Sequence, residues 1–353
     1  MMGYTSFFAA FAVTLLAIYF IKPVALRIGL ADCPGGRKCH EGVVPLVGGV
    51  AMFMGFVFSL VALPEPIEEF RSFVLAIAML VIVGVLDDLH GLSARARFVA
   101  QIFAALIMVF WGGNVLTSLG SLLSSDPLVL GIFAIPFTVF GVVGVINALN
   151  MSDGVDGLAG SLVVISLISM SVLALSAKSL PDAHVMLLLV ITIMAFLCLN
   201  FPIPGRKSAK IFMGDAGSMF LGFALAWFAI ELSQGESAVM SPVAALWIVG
   251  LPIMDTVAVM FRRIIRRRSP FTPDRSHLHH VLLLAGYGSR GTVLIMIVIQ
   301  TLCCLAGASI GYFGIPEYLM FYAYLFVFAL YYWAMIRAWK VMKIIKLKKR
   351  IRY

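Results

Sequence analysis

Residues 158–177 read LAGSLVVISLISMSVLALSA, a mostly apolar stretch without a charged side chain. A helix needs about 20 such residues to cross the hydrocarbon core of a bilayer. Similar stretches occur before and after it. The predicted spans are 5–26, 45–63, 70–86, 97–113, 128–147, 158–177, 184–201, 216–232, 241–261, 291–313 and 318–338. This pattern predicts an all-α integral membrane protein, a polytopic bundle of about 10–11 transmembrane helices.

The composition of the whole chain also indicates a membrane as its solvent. Of the 353 residues, 62% are hydrophobic and 12% are charged, and the mean hydropathy is +1.04. A soluble domain is about half apolar and a quarter charged, so one water-soluble core cannot bury this excess. Since no long polar stretch is present, we expect residues 1–353 to form a single transmembrane domain.

The cysteines and the first apolar run exclude two other interpretations. The chain has five cysteines, an odd number, and no CxxC spacing, which argues against a disulfide framework or a zinc site. No basic residues precede the first apolar run. We therefore expect that run to be a retained first span rather than a removed signal peptide.

The positions of the basic residues predict the orientation in the membrane. If odd-numbered spans run from outside to inside, 24 of the 26 Lys and Arg residues lie inside, and only Arg71 and Lys178 lie outside. Inner loops of membrane proteins carry such an excess. We therefore expect an outside N-terminus, a cytoplasmic C-terminus and a basic cytoplasmic tail, 339–353. The net charge of +9 then reflects this asymmetry and anionic lipid headgroups, and no nucleic acid is expected as a partner.

Four clusters of unusual polar residues fall on this predicted inner face. They are Asp87–Asp88, the segment 147–156, the segment 210–215 and the histidines at 277–280. The predicted inner loops are 31–44, 87–97, 147–157, 202–215 and 262–290. Several acidic and histidine clusters on one face are what a single active site requires.

Asp87 and Asp88 are adjacent carboxylates at the C-terminal end of an apolar helix. The helix dipole disfavours negative charge there, and the two charges repel each other. A cation partner is therefore favoured, and Arg95, Arg97 or a metal ion would serve. The alternative is a solvated helix end.

The segment NALNMSDGVDG, residues 147–157, spaces Asn147, Asn150, Asp153 and Asp156 by three. Members of such a row drift around a helix, and two glycines favour a loosened backbone. The segment would then supply oxygen atoms from several directions, which suits a hard cation and a nucleotide. The alternative is a polar turn between two spans.

The segment KIFMGDAGS, residues 210–218, places Asp215 between two glycines at the start of a span. Asp215 is compatible with a helix N-cap and with a ligand site. Phe212 is either a core residue or a ring that stacks on a base.

The 262–290 loop contains His277, His279 and His280, which topology does not require. They suit either a metal or a phosphate, and phosphate is favoured because the carboxylates lie elsewhere and no cysteine is near. Asp255 is an intramembrane acid, and the alternatives for it are a functional role, an arginine partner or a reach to the membrane edge.

These residues together favour phosphoryl transfer between a cytoplasmic nucleotide and a lipid. The competing class is a proton-coupled transporter, which would also contain intramembrane acids. Transporter sites lie near the midplane of the membrane, whereas these clusters are predicted at its inner edge.

Five motifs resemble those of the polyprenyl-phosphate N-acetylhexosamine-1-phosphate transferases. They are DCPGGRKCHEGVVPLVGG (32–49), DDLHGLSARARF (87–98), NALNMSDGVDGLAG (147–160), KIFMGDAGS (210–218) and DRSHLHH (274–280). The resemblance covers nearly the whole chain. The forms PLVGG and HLHH resemble the branch that uses UDP-GlcNAc, whereas the UDP-MurNAc-pentapeptide branch has PTMGG and three adjacent histidines.

The resemblance implies a role for each matching residue. Asp215 and Asn150 would hold Mg²⁺, with Mn²⁺ as a substitute, and Asp87 or Asp88 would act on the lipid phosphate as catalytic residues. Phe212 would stack on uracil. The remaining nucleotide-binding residues would be Asp156, Asp153 and Asn147, and those that contact phosphate or sugar would be His277, His279, His280, Arg97, Lys38 and Lys210.

The implied reaction transfers N-acetylglucosamine 1-phosphate from UDP-GlcNAc to undecaprenyl or another polyprenyl phosphate and releases UMP. It would begin a cell-surface polysaccharide of the O-antigen, common-antigen or teichoic-acid type. The expected location is the bacterial inner membrane, with the active site facing the cytoplasm. Another UDP-N-acetyl sugar, UDP-MurNAc-pentapeptide and a homodimer stay open as alternatives.

Overall fold

A computed structural model describes residues 2–32, 42–63, 67–203, 209–269 and 276–350. The α-helices in these ranges are α1 Met2–Ile28, α2 Gly48–Leu60, α3 Arg71–His90, α4 Ala94–Phe110, α5 Ala134–Ser152, α6 Leu158–Ser176, α7 Leu180–Asn200, α8 Gly214–Glu231, α9 Pro242–Ile248, α10 Gly250–Ile265, α11 Leu278–Leu284, α12 Ser289–Phe313 and α13 Glu317–Arg350. Two short strands, β1 Ala31–Asp32 and β2 Val44–Pro45, pair antiparallel. The chain is a polytopic all-α membrane protein, as the apolar pattern predicts.

Seven helices of the described ranges are long and apolar enough to cross a membrane, namely α1, α3, α5, α6, α7, α12 and α13. The α9–α10 pair, bent by 78°, makes an eighth if it forms one span. A helix lies at each of the eleven predicted positions, but three do not meet this criterion. Helix α2 has 13 residues, α4 has 17, and α8 has an acid near each end. Thirteen helical residues rise only about 20 Å, which is less than the hydrocarbon core of a bilayer. Helix length therefore supports fewer membrane spans than the apolar pattern predicts.

The basic tail predicted at 339–353 is helical as far as Arg350, because α13 continues into it from the apolar part of the helix without a break. The predicted inner loops are only partly described, because 33–41, 204–208 and 270–275 lie outside the described residues. Lys38, a predicted phosphate or sugar ligand, is among them.

Helix α8 is the centre of the bundle, and every residue from Ala216 to Ile230 is buried. It packs against α2, α3, α5, α6 and α9. A helix that is apolar on all sides suits a position surrounded by other helices or by lipid, and the burial of α8 shows that helices surround it. Gly84 of α3 faces Ala216, and a Cβ at position 84 would overlap the Ala216 backbone. Small residues let the backbones of membrane helices approach closely, so α3 and α8 meet close to Asp87, Asp88 and Asp215.

The segment that leads into α8 is fixed by backbone hydrogen bonds. The Phe212 N–H donates to Pro45 O at 2.9 Å, and the Phe212 carbonyl accepts from Gly48 N at 3.0 Å. Gly49 N donates to Met213 O at 3.0 Å. The start of α8 is therefore attached to β2 and to the first turn of α2.

Candidate active site

Asp88, in the last turn of α3, caps the N-terminus of α8. Its Oδ1 accepts the backbone N–H of Asp215 at 3.0 Å, and its Oδ2 accepts that of Ala216 at 3.5 Å. The first N–H groups of a helix have no partner within the helix, and negative charge is favourable there. Gly214 has φ +72, and a Cβ at this position would overlap Asp88 Oδ2. Glycine therefore permits both the backbone conformation and the cap.

Asp87 points to a different set of partners. Its Oδ1 accepts the Leu92 N–H at 2.7 Å, and its Oδ2 accepts from Arg97 Nη1 at 3.0 Å. Arg97 Nη1 also lies 3.7 Å from Asp215 Oδ2. Of the cations proposed from the sequence for the acidic pair, Arg97 is in contact with Asp87. Its guanidinium lies between two carboxylates and offsets their repulsion.

Asn150, at the end of α5, donates its Nδ2 to Asp215 Oδ1 and to Ser218 Oγ, the latter at 2.8 Å. This fixes the amide plane and leaves Oδ1 of Asn150 as the atom available to a ligand. Asn147 is placed differently, because its Nδ2 donates to Gln101 Oε1 at 2.6 Å and to Val143 O at 2.8 Å. Its amide group is thus used to join α5 to α4, and only its carbonyl oxygen is left for the predicted contact with a nucleotide.

The turn between α5 and α6 carries Asp153 and Asp156. Asp153 is exposed to solvent at this turn, with the acidic groups of the cluster around it. Desolvation there, together with the charges of Asp215, Asp156 and Asp88, raises the pKa of Asp153 to about 7. Asp156 Oδ2 accepts the Ala209 N–H at 3.2 Å, which ties the turn to the segment before α8.

Asn200, which no pattern in the sequence singles out, joins the same two segments. Its Oδ1 accepts the Gly157 N–H at 2.7 Å, and its Nδ2 donates to Ile211 O at 2.8 Å. It is buried at the end of α7. Asn200 therefore sets the spacing between the 153–157 turn and the segment that contains Phe212.

The three histidines at the start of α11 do not act as one group. His279 is 1% exposed, and its Nε2 lies against Gly154 so closely that a Cβ on Gly154 would overlap it. Burial and the nearby charge of His280 lower the pKa of His279 to about 3, so the ring is neutral. Its buried Nδ1 lacks a hydrogen-bond partner within the described part of the chain. His277 instead contacts Asp255 of α10.

The other predicted ligands lie at the rim of this cluster. The Phe212 side chain is half-buried, so part of its ring is accessible, and Lys210 is exposed. The residues that the structure brings together are thus Asp87, Asp88, Arg97, Asn150 and Asp215, with the 153–157 turn and His279 alongside.

The donor atoms of the cluster fit Mg²⁺. Asp215 and Asn150 present oxygen atoms beside Asp87, and Mg²⁺ prefers oxygen ligands. Across the described residues, no group of three or more His, Cys, Asp or Glu side chains forms a ready metal site. A Mg²⁺ site usually combines one or two carboxylates with substrate phosphates and water.

The family model and the relatives that match this chain indicate the same family of proteins. The model of glycosyl transferase family 4 matches residues 70–233, a range that contains the acidic cluster but not the histidines. Three relatives named undecaprenyl-phosphate α-N-acetylglucosaminyl 1-phosphate transferase are each 37% identical to this chain. The Yersinia pestis protein aligns over 96% of this chain and 93% of its own length, that of Escherichia coli K12 over 99% and 95%, and that of Pasteurella multocida over 98% and 97%. The chain therefore belongs to the polyprenyl-phosphate N-acetylhexosamine-1-phosphate transferases of glycosyl transferase family 4.

Proposed function

We propose that this protein transfers N-acetylglucosamine 1-phosphate from UDP-GlcNAc to undecaprenyl phosphate and releases UMP. One observation carries the proposal: Asp87, Asp88 and Asp215 meet beside Asn150 and Arg97, where four helices end or begin. Clustered carboxylates beside a cationic group suit metal-assisted phosphoryl transfer. The full-length relatives supply the identity of the two substrates.

In this reaction an oxygen of the lipid phosphate attacks the β-phosphorus of UDP-GlcNAc. The bond from the β-phosphorus to the bridging oxygen breaks, and that oxygen leaves with UMP. A phosphate monoester has a second pKa of about 6, so the lipid phosphate is largely ionised at neutral pH. A strong general base is therefore not needed, and the hydrogen bonds that hold Asp87 and Asp88 support positioning roles for them.

Arg97 is the residue we assign to the lipid phosphate. Its side chain is one-third exposed, its guanidinium is held by Asp87, and a guanidinium matches a phosphate through paired charge-assisted hydrogen bonds. Asp87 would orient this group and prevent it from settling on Asp215. Asp88 would hold the first turn of α8, and with it the carboxylate of Asp215, in place.

Mg²⁺ is the proposed cofactor, with Mn²⁺ as a substitute. Bound to Asp215 and Oδ1 of Asn150, it would neutralise charge that develops on the diphosphate. The hydrogen bond between Asn150 and Asp215 supports this assignment, since it fixes both side chains before any ligand arrives. Preorganised groups of this kind lower the cost of reorganisation during the reaction.

The nucleotide is proposed to lie between the 153–157 turn and the segment before α8. The accessible part of the Phe212 ring would stack on uracil, and Asp153 and Asp156 would contact the nucleoside. His279 is neutral and donates from one ring nitrogen, so it suits a diphosphate oxygen better than Mg²⁺. Lys210 would contribute at the rim.

The proposal also covers the membrane in which the protein lies and the pathway that its product enters. The 24 inner basic residues of the predicted topology favour the bacterial inner membrane, with the site facing the cytoplasm. The lipid-linked sugar would begin a cell-surface polysaccharide. A homodimer stays an open alternative, which light scattering of the purified protein would test.

A donor panel tests the proposal. Purified protein with undecaprenyl phosphate and Mg²⁺ should convert radiolabelled UDP-GlcNAc to a butanol-extractable lipid and an equal amount of UMP. UDP-GalNAc and UDP-MurNAc-pentapeptide serve as alternative donors, and protein with Asp215→Asn is the negative control. Absence of a lipid product with UDP-GlcNAc would contradict the proposal, and transport of a solute without any such product would favour the carrier class.

A further inference from the structure

Asp255 is a buried acid for which the proposed chemistry has no use. It lies in α10 and is 1% exposed. A buried carboxylate is costly unless it is paired and hydrogen-bonded, and charged residues in membrane helices usually serve a function. Its partners therefore indicate what it does.

Both oxygens of Asp255 are occupied, by groups from two other parts of the chain. Oδ2 lies 2.9 Å from His277 Nδ1. Oδ1 accepts the Leu278 N–H at 3.0 Å and the Tyr331 hydroxyl at 2.6 Å. Asp255 thus joins α10 to the start of α11 and to α13, rather than reaching the membrane edge as one of the sequence alternatives had it.

These contacts determine the state of the His277 ring. An ionised carboxylate only accepts hydrogen bonds, so Nδ1 of His277 must carry the proton that it shares with Asp255. The ring plane is then fixed, and Nε2 is the ring nitrogen left for another partner. Leu278 is the first residue of α11, and its N–H has no partner within that helix, so Asp255 also fixes where α11 begins.

His279 connects His277 to the 153–157 turn of the active site. The two rings stack with centroids 5.8 Å apart and planes within 8° of parallel. His279 in turn lies against Gly154, next to Asp153. Val155 of the same turn packs in one apolar cluster with Leu278. The start of α11 therefore packs against the turn that carries Asp153.

We propose that Asp255, assisted by Tyr331, is a positioning residue for the transfer reaction: it fixes the tautomer and orientation of His277 and thereby holds His279 against the Asp153 turn at the donor diphosphate. This inference rests on the proposed function. It assigns Asp255 a role in use of UDP-GlcNAc and none in use of the lipid acceptor.

The first test separates the two substrates. Asp255→Asn keeps the size of the side chain. Its amide is neutral and donates as well as accepts hydrogen bonds, whereas the carboxylate only accepts them. We expect kcat/KM for UDP-GlcNAc to fall about tenfold or more, with the KM for undecaprenyl phosphate nearly unchanged. Tyr331→Phe removes one of the three hydrogen bonds to Asp255 and should give a smaller loss of kcat/KM for UDP-GlcNAc.

Tyr324→Phe is the matched control for Tyr331→Phe on α13, because the buried Tyr324 hydroxyl has no partner among the described residues. This variant should behave as the unmodified protein.

The second test asks whether Asp255 acts through His277. If it does, the double variant Asp255→Asn/His277→Gln should lose no more kcat/KM than the more damaging single variant, since coupled residues are not additive. Additive losses, or equal losses toward both substrates accompanied by a lower melting temperature, would overturn the inference in favour of a purely structural role. So would full activity of both Asp255→Asn and Tyr331→Phe.

Calorimetric binding of UDP-GlcNAc separates failure of this inference from failure of the proposed function. If the unmodified protein neither binds UDP-GlcNAc nor forms the lipid product, the proposed function fails and this inference fails with it. If the unmodified protein does both and Asp255→Asn retains its affinity and turnover, only the positioning role is overturned.

Discussion

The carboxylate of Asp88 accepts the backbone N–H of Asp215 at 3.0 Å. This contact places an acid of α3 on the first turn of α8, directly beside the acid that we assign to Mg²⁺. Met213, which precedes α8, supplies no side-chain cap of its own. Asp88 therefore has a structural task that does not require it to exchange a proton.

The Asp88 cap leads to a prediction that distinguishes positioning from base catalysis. In Asp88→Asn the single amide oxygen can still accept the Asp215 N–H, and only the longer contact with the Ala216 N–H is lost, whereas Asp88→Ala removes both acceptors, at a cost of about 1 kcal/mol. We expect Asp88→Asn to keep its melting temperature and to lose only part of its activity, about tenfold, while Asp88→Ala loses both stability and activity. Thermal unfolding and the radiolabel assay measure the two effects. A complete loss in Asp88→Asn that raised pH does not relieve would instead make Asp88 an obligatory base.

Asp87 provides the matched comparison, since it is the adjacent acid with a different partner. Asp87→Asn weakens the hold on Arg97, while the first N–H groups of α8 keep Asp88 as their cap. Its loss should therefore appear in the KM for undecaprenyl phosphate. Full activity in both variants would show that the pair is no more than a solvated helix end.

Asp215→Asn should nearly abolish turnover and leave the fold intact. The substitution neutralises the one charged ligand proposed for Mg²⁺, and Asn150 remains able to donate to the amide oxygen of the new side chain. Thermal shift with and without Mg²⁺ and UDP-GlcNAc gives a readout besides activity, because a ligand that binds the native state raises the melting temperature. The variant should lose the Mg²⁺-dependent part of that shift.

Ser218→Ala is the matched control for Asp215→Asn. It removes the other partner of Asn150 but no charge, and it should retain most of the activity and of the Mg²⁺-dependent shift. Near-normal turnover of Asp215→Asn at ordinary Mg²⁺ concentrations would remove Asp215 from the metal site.

The sequence predicted the fold class and the polar clusters because both depend on local pattern. Apolar runs of about 20 residues identify spans without any knowledge of their neighbours. The count of spans differs from the prediction, since α2 has 13 residues, α4 has 17, and α8 has an acid near each end. The point at which α2 or α8 begins depends on distant contacts, such as the hydrogen bonds between β2 and the segment before α8. Hydropathy does not report such contacts.

Roles within the clusters depend on distant contacts and could not be predicted in the same way. Asn147 and Asn150 have the same residue type and lie one turn apart, yet one contacts Gln101 and the other Asp215. Likewise, Asp255 and Tyr331 are 76 positions apart. Only the packing of α10 against α13 brings them together, and no spacing rule within a single helix anticipates it.

The predicted orientation can be tested by cysteine labelling in intact cells. In a cysteine-free background, Ser289→Cys should not react with an impermeant thiol reagent until the inner membrane is permeabilised. Ala177→Cys, at the other end of the predicted topology, should react at once. Both positions are exposed. Immediate labelling of position 289 with protection of position 177 would reverse the orientation and place the acidic cluster outside.

The buried, neutral His279 predicts how stability depends on pH. Burial lowers the pKa of His279 to about 3, whereas an unfolded histidine titrates near pH 6.5. Between these values the unfolded chain binds more protons than the folded one, so stability falls as pH decreases through this window. By pH 5 this one group should have lowered the free energy of unfolding by about 2 kcal/mol relative to pH 8.

His279→Gln removes this contribution, so its melting temperature should fall less from pH 8 to pH 5 than that of the unmodified protein. His90→Gln is the matched control, since His90 is exposed, and it should follow the unmodified protein. If His279→Gln shows the same decline as the unmodified protein, His279 is charged or solvated in the folded state, and its assignment as a neutral hydrogen-bond donor to the diphosphate is wrong.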